Sequence, residues 1–148
     1  MKIAVIGCGR WGTFHAWYAA RIGHEVMLWG RKSSPHLAQL RERRANEFLT
    51  LPKDIRLIDD ISEVLHFAEI VIVSIHAQAL RSFLKELCAQ RLLKNLLGKR
   101  LILCMKGLEI NTGKRLTTVV REELGDAVHP VVWVGPGHVQ DFVRGVPN

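Results

Sequence analysis

The sequence contains few cysteines, and they are not arranged in pairs. There are three, an odd number without C-x-x-C spacing, and each lies in or beside an apolar segment. This usage excludes a disulfide-rich secreted scaffold and predicts reduced, buried thiols. The seven histidines are scattered, without H-E-x-x-H or another tight metal-ligand spacing. We therefore predict no metal site.

Long hydrophobic runs are also lacking. The apolar segment at the N-terminus is short and ends in glycines, and it has no signal-peptide cleavage pattern. A membrane span needs about 20 consecutive apolar residues, so we expect neither membrane insertion nor secretion. The sequence predicts a cytoplasmic protein.

Acidic residues are too few to balance the basic ones, and the net charge is +7. Such a charge can attract nucleic acid, but the sequence has no recognised nucleic-acid motif and no aromatic stacking platform. The basic residues stand among glutamates or flank predicted helix ends, where cations are favourable. We predict no nucleic-acid partner. Solvated helix faces and attraction of a small anionic ligand both remain open as explanations of the charge.

An apolar run followed by a glycine pattern opens the chain. Residues 3–6 show no polar alternation, which indicates a strand covered on both faces. Gly7, Gly9 and Gly12 match G-x-G-x-x-G, in which glycines permit a tight turn, approach of a pyrophosphate to the backbone, and close helix-to-strand packing. The phosphate would bind free N–H groups at the start of the following helix. The pattern predicts a dinucleotide site, with an ordinary glycine-rich turn as the alternative.

Apolar strands alternate with amphipathic helices along the whole chain. The predicted strands cover residues 3–6, 25–29, 55–57, 69–74, 101–105 and 131–134. The predicted helices cover residues 13–22, 35–48, 77–89 and 112–124, with a brief helix that extends to residue 64. This alternation predicts an α/β fold with a doubly wound, mainly parallel sheet, which is Rossmann-like. Since there is no linker or internal repeat, we assign residues 1–148 to a single dinucleotide-binding domain.

The turn after the second predicted strand lacks the carboxylate that usually accepts the ribose hydroxyls of NAD. It contains Arg31, Lys32, Ser33 and Ser34 instead. Two cations and two hydroxyls suit the 2′-phosphate of NADP, and a guanidinium can also stack on adenine. The sequence therefore favours NADP over NAD, with Arg31 and Lys32 as cofactor contacts. A solvated turn that happens to be basic is the alternative.

Lys106 directly follows the fifth predicted strand. Ligands of doubly wound sheets bind beyond the carboxyl ends of the strands, so this lysine lies at the same edge as the glycine turn. An ammonium group there could bind a phosphorylated or carbonyl substrate. From position alone, a solvated lysine is equally consistent.

Several segments together resemble one enzyme family. They are Gly7-x-Gly9-x-Trp11-Gly12-Thr13, Gly23-His24-Glu25-Val26, Lys106-Gly107-Leu108-Glu109, and Val134-Gly135-Pro136 ahead of Gly145-Val146-Pro147. In this order and spacing the chain resembles the bacterial-type NAD(P)-dependent sn-glycerol-3-phosphate dehydrogenase over essentially its whole length. The resemblance implies an oxidoreductase that reversibly reduces dihydroxyacetone phosphate to sn-glycerol 3-phosphate for phospholipid synthesis.

The resemblance also implies roles for individual residues. Arg10 and Trp11 would lie in the phosphate-binding turn, and Arg31 would contact the adenosine end. Lys106 would contact both cofactor and substrate. The remaining implied contacts are Phe48 over the adenine, Val139 on the cofactor side, and Gly135 and Gly137 on the substrate side.

The chain departs from the family pattern at three points. Ile75 replaces a proline after the fourth strand, and Gly137 replaces a serine or threonine whose hydroxyl could bind substrate. The family's second, all-helical domain, which carries the lysine for proton transfer, is absent from this sequence. We therefore expect no catalytic residue among these residues, and cofactor binding with little or no turnover. The apolar residues near 133–146, which that domain would cover, predict self-association.

Two other functions stay open from the sequence. One is another dehydrogenase of the same superfamily, of the hydroxyacid or ketopantoate type. The other is a non-catalytic module that senses NADP.

Overall fold

Strands and helices alternate through residues 1–146, the part of the chain that the computed structural model describes. The strands are β1 Lys2–Ile6, β2 Glu25–Trp29, β3 Arg56–Ile58, β4 Ile70–Val73, β5 Arg100–Leu103 and β6 Pro130–Val132. The helices are α1 Arg10–Arg21, α2 Pro35–Arg43, α3 Ile61–Phe67, α4 Leu80–Ala89, α5 Leu116–Leu124 and α6 Val139–Val143. A 3-10 turn at Ala77–Ala79 leads into α4.

The strands form one parallel sheet in the order β3-β2-β1-β4-β5-β6. β1 lies inside the sheet, with Val5 opposite Leu28 of β2 and Ile72 of β4. This order is that of the doubly wound dinucleotide-binding fold, in which the chain direction across the sheet reverses beside β1. The predicted fold class is therefore confirmed. The carboxyl ends of β1 and β4 meet at the reversal point, where such sheets bind ligands.

Two apolar layers cover the two faces of the sheet. Ala4 and Ile6 of β1 pack in one layer with residues of α3, α4 and α5. Ile3 and Val5 pack in the other layer with residues of α1, α2 and α6. Because successive strand residues point to opposite faces, both sets must be apolar. This is the physical reason that β1 shows no polar alternation.

The helix predicted over residues 35–48 ends earlier, at Arg43. Arg44 has a left-handed backbone with φ of 56°. The side-chain oxygen of Asn46 accepts the N–H groups of Phe48 and Leu49 at 2.9 and 3.1 Å. An asparagine that bonds to the backbone a few residues ahead favours a turn over a helix. Phe48 therefore lies in a loop beyond α2.

In the C-terminal part of the chain, one helix is shorter than predicted and another helix is not predicted at all. The helix predicted over residues 112–124 begins at Leu116, because Gly113 has φ of 66° and Leu108 and Arg115 form an antiparallel bridge. The sequence pattern did not predict α6, whose five residues are too few to show helical periodicity.

The longest helix, α1, has 12 residues. None of the helices within residues 1–146 combines the length and the apolar character needed to span a bilayer.

Candidate functional site

The predicted glycine turn connects β1 to α1 and brings the two elements close together. The Gly7 N–H donates to the carbonyl of Trp29 at 2.9 Å. A Cβ atom at Gly12 would lie 1.7 Å from the Gly7 carbonyl oxygen, so glycine is required there for packing. Gly9 caps α1 without a side-chain hydrogen bond. The first-turn N–H groups are therefore left to a ligand or to water, an arrangement that suits an anion.

A cavity of about 740 Å³ lies beyond the carboxyl ends of β1, β4, β5 and β6. This volume is within the usual range of cofactor and small-molecule sites. The predicted site residues in its wall are Gly9, Arg10, Trp11, Lys106, Gly135 and Gly137. Ser74, Ile75 and His76, which follow β4, also line it. The fold thus brings the glycine turn and the predicted substrate side into one cavity.

Aromatic side chains surround the start of α1. The Arg10 guanidinium lies over the Phe48 ring, 4.2 Å from its centroid. Trp11 packs edge-on against Phe142 of α6, with ring centroids 6.1 Å apart. Phe48 therefore lies beside the glycine turn, a position compatible with the implied contact to adenine. Val139 is 1% exposed and belongs to the apolar core, so its cofactor contact stays a prediction.

Arg31 and Lys32 line a second, more open depression at the end of β2. The Arg31 guanidinium donates to both carboxylate oxygens of Glu86 on α4, at 3.1 and 2.7 Å. This hydrogen bonding holds the pKa of Glu86 below its usual range, so the carboxylate is charged at neutral pH. Asp59 and Asp60 line the same depression. Three carboxylates thus line the same depression as Arg31 and Lys32, the two cations predicted to bind the 2′-phosphate.

The loop that carries Lys106 is held by two residues that sequence reasoning missed. Gln78, ahead of α4, donates to the Leu108 carbonyl and accepts the Ile110 N–H, both at 2.9 Å. Arg81 of α4 holds the same loop one helical turn later. No local sequence signal could have found them, because their partners lie about 30 residues further along the chain.

Arg81 is a hub for three carboxylates. Its guanidinium donates to both oxygens of Glu109 at 2.7 and 2.8 Å. It also pairs with Glu122 and Glu123 of α5, at 2.8 and 2.6 Å. Hydrogen bonds from Arg81 hold the pKa of Glu109 at about 2. The hub ties the Lys106 loop to α4 and α5, and it therefore supports the cavity wall without lining it.

His15 of α1 is buried in the wall of the cavity. Its ring lies 5.8 Å from that of Trp11 and 4.9 Å from that of Trp133, between centroids. The Nδ1 atom has no hydrogen-bond partner among the described residues. Burial lowers the pKa of His15 to about 4, so the imidazole is neutral at pH 7.

We expect stability to depend on pH through His15. The pKa of this histidine is about 4 in the folded chain, against 6.5 as its ordinary value. As the pH falls below 6.5, the unfolded chain binds the proton first, and the folded state loses about 2 kcal/mol by pH 5. Urea unfolding at pH 7.5 and pH 5 measures this loss. His15→Phe should remove it, whereas His66→Phe on the exposed surface of α3 should not; equal pH dependence in wild-type and His15→Phe would contradict the assignment.

The two cysteines near the site are not reactive thiolates. Burial raises the pKa of Cys8, and it raises the pKa of Cys104 to about 12. Both thiols are protonated at neutral pH, so neither supplies a nucleophile.

β6 lies at one edge of the sheet and leads into an apolar patch. Val131, Val132, Trp133 and Val134 are each about half exposed. Pro147, which belongs to a motif that carries the family resemblance, lies outside the described residues. Self-association through this patch stays a prediction.

Solved structures with the same fold include several dehydrogenases. Glycerol-3-phosphate dehydrogenase from Coxiella burnetii matches with a TM-score of 0.80 at 23% identity, over 99% of this chain and 44% of that chain. The corresponding enzyme of Plasmodium falciparum matches with a TM-score of 0.79 at 19% identity, over 97% of this chain and 43% of that chain. These likenesses show the fold.

Sequence relatives give the family. Glycerol-3-phosphate dehydrogenase (NAD(P)+) from Brucella canis is 39% identical over 99% of this chain, and the same enzyme from a Thermoanaerobacter species is 32% identical over 100%. The chain spans 44% of the length of each. A family model described as the NAD-dependent glycerol-3-phosphate dehydrogenase N-terminus matches residues 2–148. Because that match covers nearly the whole chain, the chain belongs to the NAD-dependent glycerol-3-phosphate dehydrogenase family, whose N-terminal part it matches.

Proposed function

We propose that this chain binds a nicotinamide dinucleotide, NADP(H) more tightly than NAD(H), as the cofactor-binding part of a glycerol-3-phosphate dehydrogenase. The observation that carries the proposal is the open N-terminus of α1, in the wall of a cavity that also contains Lys106. Membership of the family supports the same class of cofactor.

The residues of the glycine turn fit such a cofactor. The first-turn N–H groups of α1 would bind the pyrophosphate, because they have no capping side chain. Arg10 and Trp11 would lie in the phosphate-binding turn. Phe48, against which Arg10 packs, would cover the adenine, and Lys106 would face the nicotinamide end. When bound, the nicotinamide would donate or accept the hydride. Arg31 and Lys32 would bind the 2′-phosphate of NADP through charge-assisted hydrogen bonds.

The proposed substrates are dihydroxyacetone phosphate and sn-glycerol 3-phosphate, in a reaction that serves phospholipid synthesis. The ammonium group of Lys106 would attract the phosphorylated substrate, and Gly135 and Gly137 would line its binding site. Hydride transfer also requires a substrate held at near-attack distance and a proton donor for the developing alkoxide. The family resemblance puts that donor in a second domain. We therefore propose that residues 1–148 alone bind cofactor with little or no turnover.

A calorimetric titration with NADPH and then NADH tests the proposal. We expect NADPH to bind more tightly, and Arg31→Asp to weaken NADPH binding by about tenfold or more, because charged hydrogen bonds to the 2′-phosphate are lost. NADH binding should change less. Arg56→Asp is the matched control, since the side chains of Arg31 and Arg56 are both 54% exposed and each pairs with one glutamate.

Each part of the proposal has its own contrary result. Failure of both cofactors to bind the wild-type chain would overturn the dinucleotide site. Equal binding of NADPH and NADH, unaffected by Arg31→Asp, would overturn the 2′-phosphate contact. Equal losses in Arg31→Asp and Arg56→Asp would show that net charge, and not a local contact, governs binding.

A further inference from the structure

The Arg31–Glu86 ion pair lies where the proposed function puts the 2′-phosphate of NADP. Both carboxylate oxygens of Glu86 accept hydrogen bonds from the two terminal nitrogens of Arg31, at 3.1 and 2.7 Å. A bidentate pair of this kind uses one whole edge of the guanidinium fork. A phosphate that binds Arg31 must therefore displace the carboxylate or accept a second anion beside it.

The position of Glu86 is set by the core. Trp29, two residues before Arg31, packs against Phe83 of α4 with ring centroids 5.7 Å apart. Phe83 is 4% exposed, so this contact is part of the buried layer. Glu86 is three residues beyond Phe83, on the neighbouring part of the same helix face. The packing of α4 on the end of β2 thus brings Glu86 to Arg31.

The other carboxylates of the depression have partners of their own. Asp59 accepts a hydrogen bond from Arg41 at 3.0 Å. Asp60 caps α3, where it accepts the Ser62 N–H at 2.8 Å. Glu86, in contrast, directs both oxygens to the cation that would bind the 2′-phosphate.

We propose that Glu86 is a specificity-determining residue that limits the preference of this chain for NADP over NAD. This inference rests on the proposed function of the same site. Glu86 competes with the 2′-phosphate for Arg31 and repels it as a like charge. NAD has a 2′-hydroxyl in place of this phosphate. It therefore neither competes with Glu86 for the Arg31 guanidinium as an anion nor is repelled as a like charge. Arg31 and Lys32 create a difference in affinity between NADP and NAD. The Glu86 carboxylate therefore makes that difference smaller.

Glu86→Gln tests this role in the same chain. We expect the dissociation constant of NADPH to fall about threefold to fivefold, which is the size of an exposed ion pair, while that of NADH stays within about twofold. Glu86→Asp keeps the charge and should keep the wild-type ratio of the two constants. Glu63→Gln is the control for net charge, because its pair with Arg56 is similarly exposed and lies outside the depression.

The outcomes separate this inference from the function on which it rests. A ratio of NADPH to NADH affinity that rises in Glu86→Gln alone supports it. An unchanged ratio, or weaker NADPH binding because Arg31 loses its anchor, overturns the role of Glu86 and leaves the dinucleotide site intact. The same rise in Glu63→Gln also overturns it. Absence of binding in every variant overturns the dinucleotide site and this inference together.

Discussion

Replacing Gly12 by alanine is expected to destabilise the chain by at least about 3 kcal/mol, at or above the upper end of the usual cost of overpacking. The added Cβ would lie 1.7 Å from the carbonyl oxygen of Gly7 and 2.8 Å from its carbonyl carbon. Both are backbone atoms, so no side-chain rotation can make room. α1 would have to move away from the end of β1, and the cavity wall would move with it. Urea unfolding measures the loss, and a titration with NADPH should show no binding.

Gly9→Ala is the matched control within the same turn. An added Cβ at Gly9 meets no atom within 4 Å, and its φ of −75° is open to any residue. Stability should stay within about 0.5 kcal/mol of wild-type, since the weaker helix cap and the less flexible unfolded chain offset each other. Because Gly9 lines the cavity, the methyl group should still weaken binding of NADPH. Equal stability losses in Gly9→Ala and Gly12→Ala would show that close packing is not what requires glycine at position 12.

The parallel sheet and the glycine turn could be predicted from the sequence because their signals are local. The strands nearest the turn are buried on both faces, so each appears as a short apolar run. The three glycines lie within six residues, and two of them, Gly7 and Gly12, each meet a steric requirement of the same turn. The rule that ligands bind at the carboxyl ends of parallel strands predicts Lys106 and Gly135 in the same region, and both line the cavity.

The charge partners of the site could not be predicted in this way. Arg31 and Glu86 are 55 residues apart, and Arg81 and Glu109 are 28 apart. Which carboxylate meets which guanidinium depends on how α4 packs on the sheet, and local periodicity carries no information about that packing. The sequence shows only that the turn after β2 is basic and lacks a carboxylate, whereas the fold puts Glu86 of α4 against Arg31.

The end of α2 shows a competition within one segment. The apolar and basic residues after Pro35 continue a helical pattern past Arg43, where the helix stops. Asn46 offers the backbone another hydrogen-bond acceptor, and the turn that it stabilises ends the helix. Phe48 contacts Arg10 only because the Asn46 turn forms in place of a longer helix.

Gly7→Ala is expected to cost about 3 to 5 kcal/mol, because two separate penalties add. Gly7 has φ of 109°, which is strained for any other residue. Its added Cβ would also lie 2.3 Å from the Ser74 carbonyl oxygen, at the end of β4. The Ser74 N–H donates to Ile6 of β1 at 2.8 Å, so the methyl group would separate the two strands where they meet the cavity. Urea unfolding and a titration with NADPH should both show a large loss.

Gly23→Ala measures the conformational cost of a positive φ separately from the cost of a steric clash. Gly23 has φ of 88°, and an added Cβ there meets no atom within 4 Å. Its cost should be the conformational one alone, about 1 to 2 kcal/mol, and binding of NADPH should persist because Gly23 lies at the opposite end of α1 from the glycine turn. The difference between the two variants then measures the close approach of Gly7 to Ser74. If Gly7→Ala costs no more than Gly23→Ala, the positive φ alone requires glycine at position 7, and the junction of β1 with β4 can widen without loss of the fold.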